Sequence, residues 1–394
     1  YLANDGRQPD PPPQAPDRAL IFEQNRLQEI LLQNYFDVMT ELLLDKHLRN
    51  SMLTSEVRTV ARVRTLTLLK ELDVYRQGKV INFLQEAQLI NATAPIINLA
   101  RARLSKAHLK NANLVEINLD GANLYGANLL AANLAGASLK RANLNGANLR
   151  SANLHGACLN GVTLDKADLQ QAILFETDLS QANLFETNLS RARLFEANLS
   201  QANLDKANLT EANLVGVKLN GANLNRAVLS GARLENASLM GVNLKMAEMN
   251  GVQLKQADLE QADLSRASLI GVNLHQAQLV GTRLAQAHIE RVNLSDANLT
   301  EANLSRATLT GVNLAQAVLD GASLAGALVV DSRLMKVRLC DANLTSARLD
   351  GNRLDEADLS RANLFEASLE RVCLKRATLN RANLYGVNLA ESRL

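Results

Sequence analysis

From Ile97 to Leu394 an apolar residue returns at every fifth position. The series starts at Leu99, runs through Leu104, Leu109 and Leu114, and reaches Leu394 without a slip. Of its sixty sites only Met249, Ile289 and Val329 are not leucine. Two residues before each site there is usually alanine, as at Ala122, Ala127 and Ala132, with valine at Val162, Val217 and Val242. Between the two stands a polar residue, very often asparagine or aspartate, as at Asn123, Asn128 and Asn133. The unit is A-(N/D)-L-X-X. A period of five fits neither a helix, at 3.6, nor a flat strand, at 2. Self-similarity at a fixed period predicts a solenoid whose units stack on one another. One buried leucine returns less free energy than ordering five backbone residues costs, so a single coil cannot stand alone and the stack forms cooperatively. The narrow interior takes leucine for bulk and alanine where the chain turns.

Before the repeats the spacing changes. Residues 1–17 are polar and proline-rich, with Pro9, Pro11, Pro12, Pro13 and Pro16, and read as an extended linker or tail. From Arg18 the apolar residues Leu20, Leu27, Ile30, Leu31, Phe36, Met39, Leu42 and Leu43 recur at helical spacing, which predicts a helix over Arg18 to Leu48 capped by Asp17. A second helix is predicted over Ser55 to Leu72. A third, capped by Asp73, runs over Val74 to Ile90 and carries an unfavourable Gly78 inside its pattern. The three helices, residues 18–92, form a unit too small for a large core. It is expected to pack on the first coil, because a solenoid end exposes apolar interior. Pro95 marks the junction. Arg58, Arg62 and Arg64 lie close together here, and Arg58 and Arg62 share a helix face. They are a candidate basic strip for anionic lipid or another acidic partner, weighed against a solvated face paired with Glu56, Glu71 and Asp73.

The repeated unit resembles the pentapeptide-repeat family over residues 97–394. The resemblance implies a mainly β protein, a right-handed quadrilateral β-helix in which four pentapeptides make one coil. Sixty pentapeptides then give about fifteen coils and a rod roughly 70 Å long, at about 4.8 Å per coil. The stretch Tyr35 to Leu44, followed by Ser55-Glu56-Val57-Arg58 and Arg64-Thr65-Leu66, resembles the helical block that precedes the repeats in cyanobacterial members. In such relatives membrane-spanning helices often come before the block. This implies a possible membrane association through an N-terminal segment absent from this chain.

A coil of twenty residues stacks positions twenty apart into columns. One column of asparagines, Asn183, Asn203, Asn223 and Asn243 among them, reads as structural, because asparagine bonds local backbone and tolerates turns. Beside it Lys166, Glu186, Lys206, Arg226, Met246 and Arg266 give a mild basic stripe, read as a solvated face. Another outward column runs Val115, Ala135, His155, Phe175, Phe195, Val215, with Ile173 in the asparagine place beside Phe175. Contiguous exposed apolar surface marks interfaces, and aromatic anchors are typical of their centres. Ile173, Phe175, Phe195 and Val215 are therefore the candidate partner-binding site, against the plainer reading of an aromatic ladder that stiffens adjacent coils.

Charge narrows the function. The chain carries net charge +2, and residues 97–394 hold thirty-one Lys/Arg against twenty-eight Asp/Glu. Neither a polyanionic nor a polycationic partner is favoured, and no nucleic acid is expected. Some members of the family imitate duplex DNA and bind topoisomerase, which needs a strongly negative rod. The five histidines, His47, His108, His155, His275 and His288, give no metal-ligand spacing. There is no phosphate-binding loop and no nucleophile–histidine constellation. No cofactor or metal is implied and no enzyme is expected. Cys158, Cys340 and Cys373 lie too far apart along the coils to pair and read as reduced thiols. No apolar run is long enough to cross a membrane. The expected function is a non-enzymatic scaffold that presents flat faces to a protein partner, in the cytoplasm or at the cytoplasmic face of a membrane. The alternative is a membrane-associated structural protein whose anchor lies outside this chain, and a DNA mimic is the third reading. The repeats reach Leu394 without a polar cap, so a weak homodimer through the C-terminal coils is a further expectation.

Overall fold

The computed structural model describes residues 18–90 and 95–394. The proline-rich segment 1–17, the Asp17 cap and the last residues of the 18–92 unit lie outside the described residues. Helix α1 spans Arg18–Leu44, α2 Glu56–Glu71 and α3 Val74–Glu86. Helix α1 stops short of Leu48, because His47 turns left-handed at φ 52° and Leu48–Asn50 form a separate 3-10 turn. Ser55 caps α2 by accepting the Arg58 N–H. Asp73 caps α3 by accepting the N–H groups of Tyr75 and Arg76, each at 3.0 Å. Leu32, Tyr35, Met39, Leu42, Leu69, Ile81 and Leu84 bury against one another, and the Tyr35 hydroxyl bonds the buried Thr65 hydroxyl at 2.8 Å. The first half of α1 projects beyond this core, leaving Leu20 64%, Phe22 71% and Leu27 53% exposed. There the helical periodicity is kept without a partner among the described residues to bury it.

From Ile97 onward the chain winds in coils of twenty residues. Four parallel ladders run along it, as in Arg103 to Asn123, His108 to Asn128, Asn113 to Asn133 and Asn118 to Ser138. On one of the four sides the ladder widens into three-residue strands, β1 (Ser268–Ile270), β2 (His288–Glu290), β3 (Thr308–Thr310) and β4 (Leu328–Val330), paired in parallel and in that order. The inner leucines and alanines are almost entirely inaccessible. The chain is thus a parallel β-helix carrying an N-terminal helical unit.

The pentapeptide's composition follows from where its five N–H groups go. Leu124 N–H donates to Asn143 O of the next coil at 2.7 Å, and Gly126 N–H to Asn145 O at 2.9 Å. Ala127 N–H closes the corner turn on Leu124 O at 2.9 Å, and Asn128 N–H reaches back to Ala107 O at 3.0 Å. The remaining N–H, of Tyr125, donates to the Asn123 side chain at 3.1 Å. The middle asparagine is therefore the acceptor for the one backbone donor that the ladder and the turn leave over. Its side-chain amide then bonds the asparagine one coil away, as Asn203 does to Asn183 at 2.9 Å and Asn223 to Asn203 at 3.0 Å. The second X residue sits at positive φ, the left-handed place of the corner turn.

The small inner site also admits polar residues. Thr177, Thr187 and Thr282 occupy the alanine place fully buried, and each hydroxyl donates to a backbone carbonyl: Leu154, Leu164 and Leu259, at 2.9, 2.7 and 2.9 Å. At Ser332 and Asn352 the corner is rewired. Val312 N–H donates to the Ser332 hydroxyl at 3.0 Å, Ser332 N–H to Asn352 Oδ1 at 2.7 Å, and Asn352 Nδ2 to Val329 O at 2.8 Å. A buried polar group is tolerated where its bonds are complete.

The helical unit sits on the first coil. Arg62 Nε donates to Asn98 O at 2.9 Å and its terminal nitrogen to Ala100 O at 3.2 Å. His108 N–H donates to Val74 O at 3.0 Å, Ile97 N–H to Leu89 O at 2.8 Å, and the Tyr75 and His108 rings stack at 5.1 Å. Gly78 is buried inside α3, where a Cβ would stand 2.5 Å from the His108 carbonyl oxygen. The residue that weakens the helix is the one that lets it lie flat on the coil. At the other end the inner positions open: Leu384 is 41% and Leu394 81% exposed.

Candidate interaction site

The outward aromatic column forms as a contiguous stack. His155 and Phe175 meet edge to face with centroids 6.4 Å apart, and Phe175 and Phe195 do the same at 6.4 Å. The Arg193 guanidinium lies over the Phe175 ring, 4.4 Å from its centroid, so that ring is held from two directions. Ile173, Phe175 and Val215 are half-buried, while Phe195 is exposed. The four sequence-predicted residues are thus brought together, with His155 and Arg193 added to them.

The backbone gives a reason to look here. Asn153 and Asn213, before and after this stretch, accept the N–H groups of His155 and Val215 at 3.1 and 3.3 Å. In the two coils between, the same place holds Ile173 and Arg193, which have no acceptor to offer Phe175 and Phe195. The asparagine bond is replaced in two successive coils by side chains that build an apolar and cationic surface. The same place is also without asparagine at Val318 and Arg338 and at Arg333 and Arg353, so what sets this stretch apart is the aromatic stack built beside it.

The arginines of the helical unit behave differently. Arg62 is spent on the first-coil carbonyls. Arg58 turns back to Ser51, donating from Nε to the hydroxyl at 3.1 Å and from its terminal nitrogen to the carbonyl at 2.8 Å. Only Arg64 faces solvent. The three therefore do not make one exposed basic strip: helix docking turns Arg62 towards the rod and loop closure uses Arg58. Arg64 instead rims a groove of about 310 Å³ between α1 and α2, lined by Leu31, Asn34, Tyr35, Val38, Val63 and Thr67. Sequence spacing gave no sign of this groove, because it depends on how α1 and α2 splay.

Elsewhere the titrating groups are local. Burial pushes the Cys340 thiol up to about 11, helped by its bond to Asp358 and the charge of Asp320. All three cysteines are free and half-buried. Among the described residues no group of three or more His, Cys, Asp or Glu side chains could hold a metal ion, and no helix is long and apolar enough to cross a membrane.

Fold and surface together define a repeat protein of the β-solenoid class. The chain belongs to the pentapeptide repeat family, whose description, Pentapeptide repeats, matches successive segments from 97–129 to 357–394. Among solved structures it is similar to HetL, a pentapeptide repeat protein involved in heterocyst differentiation regulation, from the cyanobacterium Nostoc sp. strain PCC 7120. The identity there is 34% over 56% of this chain and 86% of that one, with a TM-score of 0.23. The pentapeptide repeat protein Rfr23 from the cyanobacterium Cyanothece 51142 is 38% identical over 23% of this chain and 62% of that one, with a TM-score of 0.23. QnrB1, a plasmid-mediated fluoroquinolone resistance protein, is 18% identical over 50% of this chain and 86% of that one, at a TM-score of 0.29. No curated protein matches the chain.

Proposed function

We propose that the chain is a non-enzymatic scaffold, a right-handed rod of about fifteen coils that presents flat faces to a protein partner. The observation that carries this reading is the Phe175–Phe195 stack. Two coils there lose the asparagine that would satisfy the backbone, and an exposed aromatic edge flanked by Ile173, Arg193 and Val215 replaces it. A packed interior of leucine and alanine offers no enclosed volume for a substrate, so the working surface is the outside. Aromatic and arginine anchors of this kind dominate interface energies, about 2 kcal/mol or more each when truncated.

The test is a native pull-down with the wild-type rod beside a Phe175→Ser/Phe195→Ser variant. A protein retained by wild type and lost by the variant supports the scaffold and locates its face. Identical retention by both baits reduces the column to a stiffening ladder. Melting curves separate the two: a stiffening ladder predicts a lowered transition for the variant, because the ring contacts of Phe175 with His155, Phe195 and Arg193 are lost. Both baits stay folded enough to compare in the pull-down.

The exposed apolar residues of α1 favour a second reading, a membrane-associated structural protein anchored by a segment outside this chain. Leu20, Phe22 and Leu27 then lie near the anchor. Recovery of the full-length native product wholly in the soluble fraction after cell lysis removes this alternative. A DNA mimic draws no support from a repeat region in which Lys and Arg outnumber Asp and Glu.

A further inference from the structure

The charge of the rod is balanced overall but not locally. On the side that carries residues 221–226, 241–246, 261–266, 281–286 and 301–306, five cations, Arg226, Lys245, Arg266, Arg283 and Arg306, stand against two carboxylates, Asp263 and Glu301. The net +3 of these thirty residues equals that of the whole repeat region. Further towards the N-terminus the same columns are neutralised, since Lys166 and Lys206 both pair with Glu186, at 3.6 and 3.2 Å. Among the described residues Arg226, Arg266 and Arg306 pair with no carboxylate.

Four of these cations surround a hollow of about 570 Å³, with Met246, Ser265 and Asp263 also in its wall. Asp263 is the organising group. Its side chain is 7% exposed, and its Oδ2 accepts from Lys245 Nζ at 3.2 Å and from Arg283 Nε at 3.1 Å. Its Oδ1 accepts the Ser265 N–H at 3.0 Å. Burial opposes ionisation of Asp263, but the bonds from Ser265, Lys245 and Arg283 outweigh it and hold the carboxyl below its usual range. One buried carboxylate thus draws together two cations from the coils before and after its own, and half of their charge is left over. Arg266 is held in turn by Gln286, which accepts from Nε at 2.9 Å and leaves the guanidinium charge uncompensated.

We propose that this hollow binds a small polyanion of the diphosphate class. Guanidinium groups match phosphate oxygens with paired donors, and here Arg283 is held by Asp263 and Arg266 by Gln286, so two of the four cations are oriented before a ligand arrives. The cations come from four successive coils spaced about 4.8 Å apart, which spreads them over more than one phosphate group. A ligand with two linked phosphates meets Arg226 and Lys245 at one end and Arg266 and Arg283 at the other, with Asp263 beneath them as the fixed counter-charge. This function is independent of the aromatic column, which lies on a different side of the coil.

The experiment is calorimetric titration of the full 394-residue chain with inorganic diphosphate at low ionic strength. Three proteins are compared: wild type, Arg226→Gln/Arg266→Gln, and Arg101→Gln/Arg141→Gln. The last pair lines another cationic depression, beside Lys140 and Asp120, and controls for diffuse charge. The expected result is saturable one-to-one binding, weakened at least about tenfold in the Arg226/Arg266 variant and unchanged in the control. Absence of saturable binding by wild type overturns the proposal. So does an equal loss in both variants, which marks unspecific attraction, or unaltered affinity in the Arg226/Arg266 variant. All four arginines are surface residues, so matching melting curves establish that each variant is folded.

Discussion

Leu244→Lys should abolish the rod. Leu244 lies near the middle of the stack, is 1% exposed, and donates its N–H to Asp263 O in the next coil at 2.7 Å. Lysine at this place loses about 1.5–3 kcal/mol of apolar burial. It also puts an ammonium among leucines and alanines, with no carboxylate inside the coil to meet it. An unpaired charge in such a place costs several kcal/mol more, even after the group lowers its pKa or reaches outward. Each coil is stabilised mainly by its two neighbours, so a broken coil at mid-rod removes the support of both halves. Loss of soluble expression, or of the cooperative melting transition in circular dichroism, is the expected outcome. The chain supplies its own control, because Lys245 already holds a lysine one residue further on, pointing out and half-exposed. A soluble Leu244→Lys protein with unchanged melting would show that the inward assignment of this position is wrong.

The inward assignment was legible because a period of five is visible in the sequence itself, and a coil of four such units fixes which residues stack. Leu99 to Leu394, the alanines and valines, the structural asparagines and the Phe175–Phe195 column all follow from counting. Less was legible where chemistry at one position depends on its neighbours in space. Thr177, Thr187, Thr282, Ser332 and Asn352 occupy the alanine place, and only the carbonyl facing each one makes its burial acceptable. The repeat glycines carried a signal that reading for apolar residues overlooked. All of them, such as Gly121 and Gly321, fall two residues after the inner site of the five-residue period, at the left-handed corner position. Arg58 and Arg62 share a helix face in sequence, but loop closure takes Arg58 to the Ser51 carbonyl and helix docking takes Arg62 to the Asn98 carbonyl. The Asp263 clamp was half visible: the basic stripe through Arg226 and Arg266 could be counted. The meeting of Lys245 and Arg283 over a buried carboxylate joins two columns, and how far each side chain reaches across is set in space and not by counting.

Gly78→Val should unseat the helical unit from the first coil. In an exposed helix, replacing glycine adds stability, by about 1 kcal/mol for alanine, because glycine is among the poorest helix formers. Here the sign reverses. A Cβ would stand 2.5 Å from the His108 carbonyl oxygen, a backbone atom already fixed in the rod, so α3 must lift for any side chain to fit. Lifting breaks the His108 N–H bond to Val74 O, the stacking of Tyr75 on His108 and the alignment of Arg62 with Asn98 O. The combined loss is about 3 kcal/mol or more, the range of a severe overpacking substitution. The rod keeps its own ladders. The expected signature is therefore a helical transition separated from, and below, the main melting step, with new tryptic cleavage within α2 at Arg62 or Arg64. A single melting transition and a wild-type digestion pattern would mean that the contact at Gly78 does not hold the unit in place. The comparison with Leu244→Lys distinguishes the two kinds of support. A fault inside the stack removes the fold, whereas a fault at the junction frees the cap and leaves an open first coil, whose apolar interior then depends on another surface to cover it.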